Sequence, residues 1–213
     1  MKALLTSRAI LLASAIAVAP AAFAQTPADV LVVAATIDDI ITLDPAQSFE
    51  FSGNDVTQNL YDRLVDFDPM DMEAGFKPSL AESWEISEDG KTITFKMRDG
   101  VKFHSGNPVR AEDAAWSIQR AVKLNKTPSF ILTQFGFTPE NVDEMVKADG
   151  NTLTIKLDKP YAQSFVLNCL TANIGSVVDK ELVMSNAEGD DMGNTWLSNN
   201  DAGSGPFVLN AWR

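Results

Sequence analysis

An alternating segment near the middle of the chain constrains the fold more than any other feature of the sequence. Residues 84–86 and 92–97 alternate apolar and polar side chains on either side of the turn sequence Glu88-Asp89-Gly90. A period of two places one set of side chains on one face of a strand, and a Gly-containing turn between two such strands favours a hairpin. The sequence therefore predicts an antiparallel hairpin with one apolar face, formed by Trp84, Ile86, Ile93, Phe95 and Met97.

Further strands are predicted from composition. VLVVAAT at residues 30–36 is a continuous apolar run with several β-branched residues, which is typical of a buried strand. LVDF at 64–67 and TLTIKL at 152–157 also favour extended structure, and GPFVLNAW at 205–212 predicts the start of another strand. Residues 68–78 are rich in Pro, Gly and Asp, so we expect an exposed connection there.

Helices are predicted where apolar residues recur at three- and four-residue spacing. One begins near residues 52–54, one spans about 111–123, one begins at Thr138-Pro139-Glu140 and one spans about 163–170. Hairpin strands and helices occur without a regular βαβ repeat, so the sequence predicts a mixed α/β fold.

The first 24 residues have the pattern of an export signal. Lys2 and Arg8 precede a short apolar run, and Ala22-Phe23-Ala24 matches the small-x-small rule for cleavage before Gln25. The alternative is a membrane span, but Pro20 keeps the apolar run well below the ~20 residues that a spanning helix needs. We therefore expect a cleaved signal peptide and a protein free in the periplasm.

Charge excludes two classes of partner. The chain has 213 residues with 17 basic and 29 acidic side chains, and removing residues 1–24 leaves 15 basic and 29 acidic ones, a net charge of −14. Such a surface repels a phosphate backbone, which argues against a nucleic-acid partner, and it also argues against a polybasic membrane-surface protein. Acidic side chains at residues 66–73 and at Glu188, Asp190 and Asp191 are interpreted as solvated turns, since the first group lacks the central Gly of a calcium loop.

Several segments together resemble a known family. These are LDP at 43–45, NLYDRLVDFDP at 59–69, the long block at 78–121, TLTIKLDKPY at 152–161 and GSGPFVLNAW at 203–212. Their order is similar to that in the extracellular solute-binding proteins of family 5, the peptide- and nickel-type binding components of ABC importers. The long block is the most specific part, and members are normally more than twice as long as this chain.

The resemblance implies a fold and a division of the chain. It implies a type II periplasmic-binding-protein-like clamp of two lobes with the ligand in the cleft between them. Residues 25–59 are expected to begin lobe I, residues 60–183 to form an extra subdomain, and residues 184–213 to return to the lobe I sheet, while the second lobe is absent from this chain. The hairpin and helix predicted above fall in the extra subdomain.

The resemblance also implies a function. The protein is expected to be a periplasmic substrate-binding protein that captures di- or oligopeptides and delivers them to the permease subunits of an ABC transporter. It is expected to be a monomer that needs no cofactor and is not an enzyme. The alternative within the class is an opine, sugar or metal-chelate ligand.

The same resemblance points to candidate ligand-binding residues. Phe49, Glu50, Phe51 and Ser52 match a stretch that lines the cleft in similar oligopeptide-binding proteins, where backbone groups lie along an extended ligand. The two Phe rings are expected to pack on apolar ligand groups and Glu50 to meet a cation. Phe130 matches a cleft aromatic of some relatives. The alternative is that the Phe rings belong to the core.

A secreted serine-type hydrolase is the alternative from a different class. It would use Ser204 and His104, but Gly203-Ser204-Gly205 does not have the spacing of a nucleophile elbow. His104 is the only His, so it cannot supply the several ligands of a zinc site, and a structural hydrogen-bonding role is favoured. Cys169, the only Cys, lies among apolar neighbours and is interpreted as a small hydrophobic residue, since no basic residue lies near it in the sequence to form a thiolate.

Overall fold

The computed structural model describes residues 27–32, 34, 36–68 and 70–212. The predicted signal peptide at residues 1–24 lies outside these residues. The chain divides into two units, residues 1–35 and residues 36–213. The described part of the first unit contains one turn, in which the Val30 N–H donates to the Pro27 carbonyl at 3.0 Å.

The second unit combines strands and helices, which confirms the mixed α/β prediction. Its described strands are β1 (Val65–Asp68), β2 (Asp71–Pro78), β3 (Ala81–Ile86), β4 (Thr92–Met97), β5 (Val146–Asp149) and β6 (Thr152–Lys156). Its described helices are α1 (Phe51–Leu60), α2 (Ala111–Leu124), α3 (Phe130–Thr133), α4 (Val142–Met145), α5 (Gln163–Thr171), α6 (Lys180–Ser185) and α7 (Asn194–Leu197). None of these helices combines the length and apolarity that crossing a membrane requires.

The predicted hairpin forms one side of a four-stranded antiparallel sheet with the order β3-β4-β6-β5, in which β4 is a central strand and β3 an edge strand. Trp84 pairs with Phe95 across β3 and β4, and Phe95 pairs with Leu153 across β4 and β6. Ile93, Phe95 and Met97 are two residues apart along β4, so their side chains lie on the same face of the sheet, and all three are buried. Helix α2 packs on β5 and β6 with the predicted apolar stripe inward, so the main core lies between this helix and the sheet. Its central members are Ile93, Phe95, Met97, Ala114, Ile118, Val122, Leu153 and Ile155.

The exposed connection predicted at residues 68–78 is a strand for most of its length. β2 pairs antiparallel with β1, with Phe67 opposite Phe76, and forms a separate two-stranded sheet. Its described side chains are mostly exposed, as expected from its composition. The prediction was wrong about the backbone because turn-forming residues indicate exposure, whereas hydrogen bonding to a neighbouring strand depends on what lies beside the segment.

Two other strand predictions are wrong in the described residues. Residues 30–32, 34 and 36 are irregular and exposed, and residues 205–212 are irregular, with the Phe207 N–H donating to the Asn59 carbonyl at 3.1 Å. Both runs have strand composition, but a strand also needs a neighbour whose N–H and C=O groups complete the ladder. Within the described part of the chain, neither run has such a neighbour.

The helix predicted to begin at Thr138 is displaced and short. It begins at Val142, forms the single turn α4, and passes directly into β5. The Asn141 side chain causes the shift: its Oδ1 accepts from the Thr138 N–H at 2.8 Å, and its Nδ2 donates to the Gly136 carbonyl at 2.9 Å. The pairing of Val146 with Ile155 of β6 then ends the helix.

A buried ion pair joins distant parts of the second unit. Arg120 on α2 donates to both carboxylate oxygens of Asp44, at 2.9 and 2.6 Å, and the two side chains are 2% and 0% exposed. Arg120 Nε donates to the Met192 carbonyl at 2.8 Å, and Asn194 Nδ2 donates to Asp44 at 2.7 Å. The Ala46 N–H donates to Asp44 Oδ1 at 2.9 Å. Both charges are therefore paired and hydrogen-bonded, as burial of charge requires.

We expect removal of either partner of this pair to be strongly destabilising. Asp44→Ala leaves the Arg120 charge buried without its partner, and such a change costs about 3–5 kcal/mol of the free energy of unfolding. Urea unfolding of the purified variant measures this loss. The matched control is Glu82→Ala, which breaks the exposed ion pair between Glu82 and Lys96. Their side chains are 41% and 64% exposed, so this variant should lose less than about 1 kcal/mol of the free energy of unfolding. Equal losses in the two variants would contradict the assignment.

Asp191 organises the start of α7 and is not merely part of a solvated turn. Its Oδ1 accepts from the N–H groups of Glu188 and Gly193, at 2.9 and 2.7 Å, and its Oδ2 accepts from the Thr195 N–H at 3.0 Å. Burial by itself raises the pKa of this carboxyl, but the hydrogen bonds, those from Thr195 first, outweigh burial and lower the pKa to about 2. The interpretation of this segment as a solvated turn therefore missed a structural role.

The Asp191 carboxylate should stabilise the fold in a pH-dependent way. A lowered pKa means that its contribution is present above the ordinary value of 3.8 and is lost as pH falls through about 2. Asp191→Ala should therefore destabilise the protein by about 1 kcal/mol near neutral pH, the usual size of a helix-capping contribution. The difference from the parent protein should shrink below about pH 4, as measured by urea unfolding at several pH values. A difference that stays constant down to pH 2 would show that the carboxylate charge does not matter.

Candidate ligand-binding groove

A groove of about 580 Å³ lies in the second unit, beside α1. This volume falls in the range typical of sites for small molecules. Part of the lining is apolar, and part consists of amide and charged side chains. The apolar lining includes Phe49, Phe67, Pro128, Ile131 and Ile174, and the polar lining includes Ser48, Asn54, Gln58, Asn59, Arg63, Asp66, Lys77 and Asn173.

The segment that resembles a ligand-contacting stretch forms the start of α1. Glu50 is the N-cap residue of the helix, and its carboxylate accepts from the Phe49 N–H at 3.1 Å. The Ser52 N–H donates to Asp39 at 3.2 Å, which ties the first turn of the helix to the preceding segment. Of the four predicted residues in this stretch, Phe49 lines the groove.

The structure brings Phe49 together with Phe130, the other predicted aromatic residue. Their ring centroids are 5.8 Å apart and their planes meet at 88°, an edge-to-face contact. The two side chains are 45% and 55% exposed, and Phe51 is 91% exposed. The alternative that these rings belong to the core is therefore wrong. Phe49 and Phe130 form an aromatic pair at the rim of the groove, since Pro128 and Ile131 on either side of Phe130 also line it.

The polar lining was missed in the sequence analysis. Asn54 and Gln58 are four residues apart on α1, a spacing that places them on one face of the helix and that the sequence does show. Asn173 comes from a distant turn, and its Nδ2 donates to Asn54 Oδ1 at 2.7 Å. No local pattern marks Asn173, because only the folded chain places it beside α1.

His104 and Ser204 do not form a nucleophile and base. His104 Nδ1 lies 2.7 Å from Asp201 Oδ2, and Nε2 lies 2.8 Å from the Gly205 carbonyl oxygen. Ser204 Oγ donates instead to Asp62 at 2.9 Å. Burial is the main cause that raises the pKa of Asp62. This geometry supports the structural hydrogen-bonding role predicted for His104 and leaves Ser204 without a His base.

The glycines around Ser204 have a packing reason. A Cβ on Gly203 would meet the Leu60 carbonyl oxygen at 1.9 Å, and a Cβ on Gly205 would meet the Asn59 carbonyl oxygen at 2.6 Å. The Gly205 N–H also donates to the Leu60 carbonyl at 2.9 Å. The Gly-Ser-Gly sequence therefore allows the chain to approach the end of α1 closely, which fixes that end of the helix.

Cys169 lies on α5 and is partly buried against the main core. Burial raises the pKa of its thiol, and a hydrogen bond from Gln134 at 3.4 Å only partly opposes this. A raised pKa disfavours the thiolate that a nucleophile needs. The structure therefore supports the interpretation of Cys169 as a small packing residue.

Comparison with solved structures places this fold in a known class. Over 82% of the chain it is similar to the substrate-binding domain of an oligopeptide ABC transporter from Bacillus anthracis, with a TM-score of 0.66 and 27% sequence identity, and the match covers 34% of that chain. The mixed α/β fold is that of the type II periplasmic binding proteins. The fold class expected from the resemblance is thus confirmed.

The sequence identifies the family within this class. Residues 75–213 match the model of the bacterial extracellular solute-binding proteins, family 5 middle region, so the chain belongs to this family. The chain is 33% identical over its whole length to the probable D,D-dipeptide-binding periplasmic protein DdpA of Escherichia coli K12, of which the match covers 40%. Over 72% of its length it is 34% identical to the dipeptide-binding protein of the same organism, of which the match covers 30%. The chain therefore spans less than half the length of these relatives.

Proposed function

We propose that the chain belongs to a periplasmic substrate-binding protein of an ABC importer that captures di- or oligopeptides. The exposed aromatic pair Phe49–Phe130 at the rim of a groove carries this proposal, because exposed aromatic rings beside convergent polar groups are typical of ligand sites. The names of the relatives, which describe dipeptide binding, support the choice of peptides. Permease subunits are the proposed partners, and the protein acts as a monomer after export and cleavage of residues 1–24.

The proposed ligand-binding residues are Phe49, Glu50, Phe51, Ser52 and Phe130. The aromatic rings pack on apolar side chains of the ligand, and the extended backbone before α1 pairs with the ligand backbone. The Glu50 carboxylate is half-buried and bonded to the Phe49 N–H, so it holds the shape of this segment and remains within reach of a cation. Backbone pairing accepts peptides of many sequences, while the rings favour apolar side chains.

The division of the chain follows the same proposal. Residues 25–59 begin lobe I, residues 60–183 form an extra subdomain, and residues 184–213 return to lobe I. The four-stranded sheet with α2 lies within the proposed subdomain, and Asp44 and Asn194, which meet through a hydrogen bond at 2.7 Å, lie in the two proposed lobe I segments. A ligand that contacts this lobe and a second lobe only in the closed form shifts the population toward that form, which the transporter then recognises.

We expect the aromatic pair to contribute to peptide affinity. Phe49→Ala and Phe130→Ala should each weaken the binding of an apolar dipeptide about tenfold, because each removes exposed aromatic area and the edge-to-face contact. Isothermal titration calorimetry of the full-length protein measures this change. The matched control is Phe165→Ala, which removes a ring of similar exposure (42%) that packs edge-on against Phe135 outside the groove.

The outcomes separate the proposal from its alternatives. Phe165→Ala should leave affinity unchanged although it disturbs a comparable aromatic contact. Equal loss of affinity in all three variants would show that the effect comes from stability and not from contact with the ligand. If the full-length protein gains no thermal stability from any di- to oligopeptide, the peptide assignment is wrong.

A further inference from the structure

His104 holds a segment of irregular backbone through both nitrogens of its ring. Nδ1 lies 2.7 Å from Asp201 Oδ2, and Nε2 lies 2.8 Å from the Gly205 carbonyl oxygen. The His104 N–H also donates to the Gly203 carbonyl at 2.8 Å. One residue therefore contacts residues 201–205 at three points, and its side chain is only 13% exposed.

Both atoms that face the ring are hydrogen-bond acceptors. A backbone carbonyl can only accept. The Asp201 carboxylate accepts as well, because its Oδ1 receives the Gly203 N–H at 2.7 Å and its Oδ2 receives the Leu209 N–H at 3.1 Å. A neutral imidazole carries one N–H, so in either tautomer a bare nitrogen would face an acceptor oxygen at 2.7 or 2.8 Å. Only the charged imidazolium, with an N–H on each nitrogen, satisfies both contacts.

Three carboxylates lie on the elements around His104. Asp201 contacts the ring directly and is 8% exposed. Asp179, the N-cap residue of α6, is 1% exposed and accepts at 2.6 Å from Ser105, the residue after the histidine. Asp62 lies just after α1 and is half-buried. Burial raises the pKa of Asp62, while the positive charge of His104 acts in the opposite direction.

These carboxylates have little other positive charge to balance them. Among the described ion pairs, none joins Asp62, Asp179 or Asp201 to a lysine or an arginine. Arg63, the residue after Asp62, pairs with another carboxylate at 3.5 Å. Burial raises the pKa of Tyr61, which packs beside the same segment, so this phenol stays neutral. Because buried carboxylates need a compensating cation or donors, they favour protonation of the imidazole among them.

The segment that His104 holds also covers the end of α1. The Gly205 N–H donates to the Leu60 carbonyl at 2.9 Å, and the Phe207 N–H donates to the Asn59 carbonyl at 3.1 Å. Carbonyl groups in the last turn of a helix lack partners within the helix, so these bonds complete α1. Asn59 also lines the groove. Whatever fixes the segment therefore fixes this end of the helix beside the groove.

We propose that His104 is a charged imidazolium at neutral pH and that its proton is a conformational switch: while bound, it holds residues 201–207 against the end of α1, and its loss to solvent loosens them. In the unfolded chain neither acceptor is in place. The stabilisation is therefore complete below about pH 6.5, where an unfolded histidine is also charged, and is lost as pH rises. This inference concerns the conformation of the chain and is independent of the proposed function.

The first test is NMR spectroscopy of the full-length protein with ¹⁵N-labelled histidine rings. The signals of His104 are assigned by their absence from the spectrum of His104→Gln. At about pH 8, where an ordinary histidine is almost wholly neutral, both ring nitrogens should give the signals of N–H groups. A bare ring nitrogen at this pH would overturn the proposal, whether the proton has been lost to solvent or lies on Asp201.

The second test is Asp201→Asn, which removes the charge and keeps the shape of the side chain. His104 should then be neutral at about pH 8. The Gly205 and Phe207 N–H groups should lose protection against hydrogen exchange about tenfold or more, the usual value of a hydrogen bond to a charged group. The matched control is Asp190→Asn, which removes the same charge from an exposed residue and should change neither readout. If His104→Gln does not fold, the ring signals that move in Asp201→Asn, but not in the control, identify His104.

A pH series on the parent protein separates a switch from a static contact. Protection of the Gly205 and Phe207 N–H groups should fall over the same pH range in which the ring loses its proton. The Leu157 N–H, which donates to the Lys91 carbonyl at 2.7 Å at the end of β6, should keep its protection throughout. Protection at residues 205 and 207 that does not change when the ring becomes neutral would show that the proton does not hold this segment, and the proposal would then be wrong.

Discussion

The buried pair of Asp44 and Arg120 is the interaction on which the geometry of the groove depends. Asp44 does more than neutralise a charge: its side chain accepts from the Ala46 N–H, and its carbonyl accepts from the N–H groups of Gln47 and Ser48. These bonds curl the chain into a turn that ends immediately before Phe49. Because a buried charge cannot lose its partner cheaply, the turn and the residue that follows it are held in one conformation.

The same pair also connects the two segments that carry the aromatic rings. Arg120 lies on α2, and this helix ends at Leu124 only a few residues before Phe130. Asn125 adopts a left-handed conformation, with φ of 47°, and the following 3₁₀ turn leads the chain to Phe130. The contact between Phe49 and Phe130 is therefore positioned from both sides by one ion pair in the core. Rigid elements that hold side chains in this way reduce the ordering cost of binding a ligand.

The sequence predicts those parts of the fold that depend on neighbours along the chain. The hairpin of β3 and β4, helices α2 and α5, and strand β6 follow from periodicity, because each has a strong local pattern. The failures at residues 30–36, 68–78 and 205–212 share one cause: strand formation depends on which backbone lies alongside, and composition does not report it. The candidate site divides similarly. Resemblance pointed to Phe49 and Phe130, whereas Asn173 reaches the groove only through a long-range contact with Asn54.

The acidic net charge of the chain and the two cations in the groove lining, Arg63 and Lys77, act over different distances. Beyond the predicted signal peptide, 29 acidic residues face 15 basic ones, but most of these charges are exposed and are screened within about 8 Å at physiological salt. Arg63 is 11% exposed and lies 3.5 Å from the Asp66 carboxylate, and salt screens such a short, largely buried interaction only weakly. The net charge of the exposed surface therefore does not determine which charge the groove itself favours.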